Sequence, residues 1–261
     1  MPGPDAAEDL ALLVEAARGA GRIAARYFRD EPEVWDKPDG AGPVTEADLA
    51  VDDMLRDRLC AARPGYGWLS EETPDTAARL SADRVFIVDP IDGTKAFIEG
   101  SSAFSHSLAV AEAGEVIAAV VYLPIRGKLY AAQRGGGATL NDAPVRAAAR
   151  RRLDGAEILA NKHTLGPAHW PRGVPPVTRA YRPSLAYRMA LVGEGRFDAM
   201  VTFRATWEWD VAAGALIVAE AGGTVTDGTG GALRFNGRAP QVAGVMAAGA
   251  ALHAALLQAR A

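Results

Sequence analysis

The sequence predicts a protein of mixed α+β and α/β class, in which helix layers alternate with sheet layers. Three observations predict it: an amphipathic helical pattern near the N-terminus, β-rich segments in the middle, and alternating strand and helix candidates towards the C-terminus. We expect an α+β domain with an antiparallel sheet over residues 1–145, and an α/β domain with a mixed sheet over residues 146–261.

The N-terminal half begins with two predicted helices. Apolar residues recur at three- and four-residue steps over residues 8–29, which gives that helix one apolar stripe. A loop rich in Pro, Gly and Asp follows at 36–43, and Thr45–Asp48 has the pattern of a capping box that starts the second helix. The apolar run Val85–Val88 is typical of a strand buried on both faces, and we expect Asp89-Pro90 to end it.

The remaining segments complete the element order. Gly114 and Pro124 separate three predicted strands of an antiparallel meander, at 105–112, 116–123 and 128–132. Four further strands are expected, at 156–160, 197–202, 223–226 and 242–247. Three helices alternate with them, at 184–194, 210–221 and 249–259.

Composition and charge exclude several classes of protein. The 28 Lys and Arg against 32 Asp and Glu give a formal net charge of −4, which argues against a polymeric nucleic acid as partner. Cys60 is the only cysteine, so an internal disulfide and a four-cysteine metal site are excluded. Residues 1–5 lack the pattern of a signal peptide, and no apolar stretch is long enough to span a bilayer. We therefore expect a cytoplasmic protein.

The segment Asp89–Thr94 carries the strongest chemical signal. Its two Asp residues follow the apolar strand, Pro90 fixes the backbone, and Gly93 permits a tight turn and a close approach to a ligand. Two carboxylates beside the free N–H groups of a helix that starts at Thr94 would suit a metal-bridged phosphate. A structural explanation is also open, in which Asp92 only caps this helix and Asp89 forms a turn.

Two other segments favour the chemical interpretation. Ser70-Glu71-Glu72 lies upstream, and Trp209–Gly214 places Asp210 at the start of a helix of small residues. Taken singly, Glu71 fits a surface charge and Asp210 a helix cap. The ordered combination resembles the inositol monophosphatase superfamily, over residues 44–223. The resemblance implies a sugar-phosphatase-like fold and a Mg²⁺-dependent, lithium-sensitive phosphomonoesterase; because family members are commonly dimers, it also allows a homodimer.

The resemblance assigns two to three Mg²⁺ ions to the acidic residues. Glu71, Asp89 and the carbonyl of Ile91 would hold a first ion. Asp89, Asp92 and Asp210 would hold a second, and Glu71 would help to order a third through water. Mg²⁺ prefers oxygen ligands and keeps several waters, so a few carboxylates and a substrate phosphate suffice. Two such ions would stabilise the attacking and leaving oxygens of an in-line displacement.

The resemblance also assigns the catalytic groups. Asp48, Thr94 and Glu71 would orient or activate the attacking water, although Asp48 equally fits a capping box. The backbone N–H groups of Gly93 and Thr94 would cradle the phosphate. With Asp48 included, the five acids carry a formal charge of −5, more than the −4 of the whole chain. They would repel one another in a closed site without divalent cations.

The substrate side most resembles the bacterial 3′(2′),5′-bisphosphate nucleotidases of the CysQ type. Inositol-specific members carry an acid before the Trp-Asp pair, whereas this chain has Arg204 there, a cation that suits a second phosphate. Lys162 and His163 lie where nucleotidases often have Ser-Arg-Ser-His, and Ser184 fits a small polar position at a helix start. The Lys expected shortly after Ser184 is replaced by Ala186. Inositol 1-phosphate and histidinol phosphate are the alternative substrates.

Two rival functions are open at this point. Haloacid-dehalogenase-type phosphatases use Asp-x-Asp-Gly-Thr with a nucleophilic first Asp, but the spacing here is one residue longer. A non-catalytic relative with a regulatory role would have no use for five clustered acids. We therefore expect hydrolysis of a small phosphorylated metabolite by metal-activated water.

Overall fold

The computed structural model describes residues 5–30, 32–37 and 42–261 of the chain. The helices within these ranges lie close to the predicted ones, and they include the short helix expected to start at Thr94. They are α1 (Ala6–Tyr27), α2 (Glu46–Ala62), α3 (Thr94–Ile98), α4 (Leu185–Gly193), α5 (Glu208–Glu220) and α6 (Ala250–Arg260).

The strands form two larger sheets and two short antiparallel pairs. The strands of the first half are β1 (Val34–Asp36), β2 (Pro43–Thr45), β3 (Gly67–Ser70), β4 (Arg84–Asp92), β5 (Ser105–Glu112), β6 (Glu115–Leu123), β7 (Lys128–Gln133), β8 (Gly137–Leu140) and β9 (Ala143–Pro144). Those of the second half are β10 (Glu157–Leu159), β11 (Thr178–Ala180), β12 (Ala199–Thr202), β13 (Thr206–Trp207), β14 (Gly223–Thr226), β15 (Gln241–Val242) and β16 (Val245–Gly249).

Sheet topology confirms the predicted fold class. The seven-stranded sheet runs β3-β4-β5-β6-β7-β8-β9 and is antiparallel except for the edge pair β3–β4. The five-stranded sheet runs β11-β10-β12-β16-β14 and is mixed, because β10 pairs in parallel with both neighbours while β16 is antiparallel to β12 and β14. The short pairs β1–β2 and β13–β15 lie outside these sheets.

Helices and sheets alternate in five layers. Helices α1 and α2 cover one face of the seven-stranded sheet, and α4 and α5 fill the space between its other face and the five-stranded sheet. Helix α6 covers the outer face of the smaller sheet. Each sheet face thus has an apolar partner, which explains why β4, β5 and β6 are almost entirely buried.

Helix α1 follows the predicted amphipathic pattern. The Asp5 side chain accepts a hydrogen bond from the Glu8 backbone N–H and caps the first turn. One stripe of small and apolar residues, from Leu13 to Ala24, is buried against the sheet. Gly21 allows the closest approach, since a Cβ there would lie 2.5 Å from the Tyr122 ring.

Strand β4 corrects one prediction, because Asp89-Pro90 does not end it. The strand continues to Asp92, and three residue steps on β4 from Asp89 to Asp92 oppose two steps on β5 from Ser107 to Ser105. Proline cannot donate to a ladder, so the irregularity falls at Pro90, whose carbonyl bonds to His106 instead. The predicted strand 242–247 is also interrupted, as β15 and β16, with Gly244 in the left-handed region between them.

Some predictions concern residues outside the described ranges, and others are not tested by the structure. Of the predicted loop at 36–43, residues 38–41 lie outside the described ranges, as do residues 1–4 of the N-terminal segment. Within the described ranges, every helix is too short or too polar to cross a membrane. The division into two domains near residue 145 and the homodimer stay predictions.

Candidate active site

Three carboxylates from distant parts of the sequence meet at one point. Asp89 and Asp92 lie on the bulged end of β4, and Asp210 lies in the first turn of α5. One oxygen atom from each lies within 4.8 Å of the others. Asp89 and Asp92 are buried, and Asp210 is partly exposed. The bulge matters because it adds a residue between the two Asp side chains and re-aims them relative to a regular strand.

Asp89 carries a buried carboxylate oxygen, Oδ1, that lacks a hydrogen-bond partner among the described residues. Burial, followed by the charges of Glu71, Asp92 and Asp210, raises the pKa of Asp89 well above its ordinary range. A buried carboxylate oxygen without a partner is costly in free energy, and a bound cation would remove that cost. The donor set therefore fits a Mg²⁺ ion.

Asp92 is held by the N-terminus of α4. Its Oδ2 atom accepts hydrogen bonds from Ser184 Oγ and from the Ala186 backbone N–H, both at 2.6 Å. Burial raises the pKa of Asp92 to about 6, although these donors oppose the shift. Ser184 is fully buried, also contacts Ser105, and caps α4. Ser184 therefore orients the Asp92 carboxylate, and its binding of substrate stays a prediction.

Asp210 lies in the first turn of α5, which packs closely against α4. A Cβ on Gly214 would lie 2.5 Å from the Met189 Cβ, so the small-residue helix predicted after Asp210 is required here. Ser107 Oγ donates to the Trp209 carbonyl at 2.8 Å and ties the first turn of α5 to β5. Burial, then the charges of Asp92 and Glu71, raise the pKa of Asp210 well above its ordinary range.

Glu71 and Glu72 follow β3, whose parallel partner β4 carries Asp89. The Glu71 backbone N–H donates to the Val88 carbonyl at 3.2 Å, which places Glu71 beside the cluster. Its side chain is paired with Lys37, whose Nζ atom lies 2.6 Å from Glu71 Oε1 and 2.7 Å from Glu72 Oε1. Burial and the charge of Glu71 raise the pKa of Glu72 to about 7.

Asp48 and Thr94, which the resemblance assigns to the attacking water, are in contact with each other. Thr94 Oγ1 lies 3.1 Å from Asp48 Oδ1 and 3.2 Å from the Ile91 carbonyl. The other carboxylate oxygen of Asp48 accepts from the backbone N–H and the hydroxyl of Thr45. Asp48 thus completes the capping box of α2 and contacts Thr94 at the same time, and its catalytic role stays a prediction. Burial raises its pKa to about 6.

Gly93 adopts the backbone conformation that the predicted turn requires. Its φ of 102° lies in the left-handed region, and it precedes the first turn of α3. The Phe97 N–H donates to the Gly93 carbonyl and closes that turn. Thr94 lies at the first helical position, beside Asp92. The prediction that the N–H groups of Gly93 and Thr94 bind phosphate is compatible with this turn and stays a prediction.

His106 was not identified from the sequence. It is fully buried on β5 and its Nδ1 atom hydrogen-bonds the Pro90 carbonyl inside the bulge. Burial lowers its pKa to about 4, so the imidazole is neutral at pH 7 and donates from Nδ1. Its Nε2 atom has no partner among the described residues. A sequence signal for His106 exists, because an antiparallel pairing of its strand with the Asp89–Asp92 segment would place it opposite that segment.

Two arginines act electrostatically on the cluster. The charge of Arg204, which is exposed, lowers the pKa of Asp210 against the effect of burial. Arg188, one turn into α4, is buried, acts electrostatically on Asp92, and stacks over the Tyr181 ring at 4.4 Å. Arg188 is a cation close to the position where the family's Lys is replaced by Ala186. The sequence signal for Arg188 is its position four residues after Ser184, which places both residues on the same face of the predicted helix.

Lys162 and His163 lie apart from these contacts. Both are exposed and belong to a 3₁₀ turn, Lys162–Leu165, which follows β10. No contact among the described residues joins either side chain to the carboxylates, and their binding of substrate stays a prediction.

A family profile and individual sequence relatives indicate the same protein family. The family profile described as "Inositol monophosphatase family" matches residues 5–261. The inositol-1-monophosphatase of Mesorhizobium japonicum is 37% identical over 236 residues, which are 85% of this chain and 86% of that protein. The Nus factor SuhB of Escherichia coli is 32% identical over 231 residues, again 85% and 86% of the two chains.

Solved structures agree with the sequence relatives. The Thermotoga maritima IMPase superposes with a TM-score of 0.84 at 29% identity, covering 97% of this chain and 96% of that one. The extragenic suppressor protein suhB of Bartonella henselae gives 0.82 at 32% identity, covering 97% and 98%. These relatives confirm the superfamily and the fold. They do not support the finer expectation of a CysQ-type nucleotidase, and they favour its alternative, an inositol-1-phosphate phosphatase.

Proposed function

This chain belongs to the inositol monophosphatase family, and from that premise we propose that it hydrolyses inositol 1-phosphate or a closely similar small phosphomonoester. Members of the family are Mg²⁺-dependent phosphatases. The observation that carries the proposal is the meeting of Asp89, Asp92 and Asp210 around a buried carboxylate oxygen without a partner. Such a donor set suits a divalent cation, and a cation is what a phosphate ester requires for binding beside carboxylates.

Metal ligands are proposed from these same contacts. Asp89, Asp92 and Asp210 would hold one Mg²⁺ ion. Glu71, Asp89 and the Ile91 carbonyl would hold another. A Mg²⁺ ion held by these residues would neutralise charge on the phosphate oxygens and lower the pKa of a bound water. Hydrogen bonds from Ser184 and the Ala186 N–H fix the Asp92 carboxylate, so one ligand is already oriented in the folded protein.

Proton movement is assigned to Asp48 and Thr94. With a pKa of about 6, Asp48 is ionised near pH 7 and accepts the hydrogen bond of the Thr94 hydroxyl. A water molecule at Thr94 would pass its proton to Oγ1 while the hydroxyl proton moves to Asp48 Oδ1. The water oxygen would bond to phosphorus as the bond to the leaving oxygen breaks. The leaving oxygen would take a proton from solvent water, and Asp48 would release its proton to solvent.

The first test is phosphate release from a panel of substrates with and without Mg²⁺. We expect inositol 1-phosphate to be hydrolysed with the highest kcat/KM, and the rate to disappear with a chelator. Asp89→Asn should abolish the reaction. Labelled oxygen from water should enter the phosphate, and no phosphorylated enzyme should be trapped, which separates this reaction from one with a nucleophilic Asp.

A second candidate substrate is a 3′(2′),5′-bisphosphate nucleotide. It is favoured by the two cations, Arg188 and Arg204, whose charges act on Asp92 and Asp210. Arginine binds phosphate through paired N–H donors, so a second phosphate beside the reacting one would suit this side of the site. The ring hydroxyls of inositol 1-phosphate are neutral, so beyond its one phosphate this substrate has no charged group for the two arginines to bind.

The two candidates differ in how they depend on Arg204. If the substrate carries two phosphates, Arg204→Ala should raise KM for 3′-phosphoadenosine 5′-phosphate by roughly tenfold or more, equivalent to about 1.4 kcal/mol. If it is inositol 1-phosphate, the substitution should leave KM within about twofold. Histidinol phosphate belongs in the same panel as the remaining alternative.

A further inference from the structure

Asp52 is a buried residue of α2 that the proposed metal binding and proton transfer do not use. It lies one turn after Asp48, and its side chain points to the segment that follows β3. Its Oδ1 atom accepts from Ser70 Oγ at 2.5 Å, and its Oδ2 atom accepts from Thr73 Oγ1 at 2.6 Å. One carboxylate thus contacts the residues on both sides of Glu71-Glu72.

These two hydrogen bonds fix a short turn of backbone. Ser70 Oγ also accepts from the Glu72 backbone N–H at 3.4 Å, and Thr73 Oγ1 accepts from Trp68 Nε1 at 3.2 Å. At the other side, the Glu71 N–H bonds to the Val88 carbonyl. The backbone on both sides of Glu71 therefore has fixed hydrogen-bond partners.

We propose that Asp52 is a positioning residue, which holds the turn 70–73 so that the Glu71 carboxylate faces the metal cluster. Helix α2 would then support the site at two points, through Asp48 to Thr94 and through Asp52 to the Glu71 turn. Outer contacts of this kind typically change metal affinity by roughly 10- to 100-fold when removed. The inference rests on the proposed role of Glu71 as a Mg²⁺ ligand.

Asp52→Ala removes both hydrogen bonds, and Asp53→Ala is its matched control. Asp53 is the next residue on the same helix and is exposed. The measurement is the Mg²⁺ dissociation constant by calorimetry on the full-length, substrate-free protein, together with the Mg²⁺ concentration at half-maximal phosphate release. We expect Asp52→Ala to weaken Mg²⁺ binding at least about tenfold and Asp53→Ala to change it less than twofold. An Asp52→Ala protein that melts earlier but binds Mg²⁺ like the control would overturn the proposal.

Combination with Glu71→Gln separates this inference from the proposed function. If Asp52 acts through Glu71, the double variant should bind Mg²⁺ no more weakly than Glu71→Gln alone. Fully additive losses would refute action through Glu71. If Glu71→Gln leaves Mg²⁺ binding unchanged, the assignment of Glu71 as a ligand fails, and this inference fails with it.

Thr73→Val gives the same test with less disturbance, because Thr73 is only partly buried and the change keeps its shape. It removes one of the two hydrogen bonds to Asp52 and the acceptor of the Trp68 indole N–H. We expect a weakening of Mg²⁺ binding of at least about threefold, in the same direction as for Asp52→Ala. An unchanged dissociation constant in a folded Thr73→Val protein would count against the proposal even if Asp52→Ala did not fold.

Discussion

The ammonium group of Lys37 lies 2.6 Å from the Oε1 atom of Glu71, the residue expected to bind a metal ion. The same Nζ atom lies 2.7 Å from Glu72 Oε1. Burial alone would lower the pKa of Lys37, but the two ion pairs outweigh it and raise the pKa, so the group stays charged. A cation from the protein thus shares the ligand that a Mg²⁺ ion would use.

This ion pair leads to a prediction for Lys37→Met. Without the ammonium group, Mg²⁺ no longer competes for Glu71, so we expect the Mg²⁺ dissociation constant to fall by roughly fivefold, equivalent to about 1 kcal/mol. Calorimetry on the substrate-free protein measures it. Lys128→Met, which breaks the ion pair of Lys128 with Glu194 elsewhere in the molecule, is the control and should leave the constant unchanged. Weaker Mg²⁺ binding by Lys37→Met would contradict competition.

Asp89→Asn should separate stability from activity. The amide removes a buried charge that is repelled by Glu71, Asp92 and Asp210. We expect the metal-free protein to gain about 1–3 kcal/mol of unfolding free energy and to melt a few degrees higher. Phosphate release should fall by roughly a thousandfold or more, equivalent to about 4 kcal/mol of transition-state stabilisation.

Thermal melting with a chelator and phosphate release with saturating Mg²⁺ check the two halves of this prediction. Asp83→Asn, an exposed Asp before the same strand, is the matched control and should change neither quantity. Loss of stability in the metal-free Asp89→Asn protein would mean that this carboxylate is not a repelled charge.

Stabilisation by Mg²⁺ should depend on pH. Burial raises the pKa of Asp92 from 3.8 to about 6, and the pKa values of Asp89 and Asp210 are also raised. In the metal-free protein the folded state therefore binds more protons than the unfolded state above about pH 4, so these groups reduce stability as pH rises through their folded pKa values. Mg²⁺ must displace those protons. Its affinity should increase by about tenfold per pH unit for each proton displaced.

The rise in melting temperature on adding Mg²⁺ should be larger at pH 7.5 than at pH 5. Comparing samples with and without Mg²⁺ at each pH removes the contribution of His106, whose lowered pKa of about 4 acts in the opposite direction. An equal rise at both pH values would show that the acids are already ionised without the metal.

Thr94 and Asp48 should affect the chemical step more than metal binding. Thr94→Ala removes the hydroxyl that bonds to Asp48, so we expect kcat to fall by roughly 10²- to 10⁴-fold with Mg²⁺ binding changed only slightly. Thr94→Ser keeps the hydroxyl and should restore most of the rate. The rate of the unmodified enzyme should rise as Asp48 loses its proton near pH 6. A Thr94→Ser enzyme as slow as Thr94→Ala would exclude the proton transfer.

Gly214→Ala tests the close contact between α4 and α5. The added Cβ would lie 2.5 Å from the Met189 Cβ, so the helices must separate. We expect a loss of about 1–3 kcal/mol in unfolding free energy, measured with urea, and weaker Mg²⁺ binding because Asp210 moves with α5. Gly65→Ala has no atom within 4 Å of its new Cβ and is the control.

Local patterns made much of the fold predictable. The apolar stripe of α1, the capping box of α2 and the meander β5–β7 depend on residues within a few positions of one another, and each lies where it was expected. The Asp89–Thr94 turn is also local, because Pro90 and Gly93 restrict the backbone by themselves. Strands of two or three residues, such as β1, β9 and β13, have too little pattern to be recognised.

The sequence by itself identified the acids that we propose as metal ligands, because the motifs that carry them are short and contiguous. Only the tertiary structure decided what holds them: Ser184 against Asp92, Asp52 against Ser70 and Thr73, His106 against Pro90. These partners are separated by 16 to 92 residues. Such contacts exist only after the helices pack on the sheets, since packing of the buried faces, and not any local pattern, sets which distant residues meet.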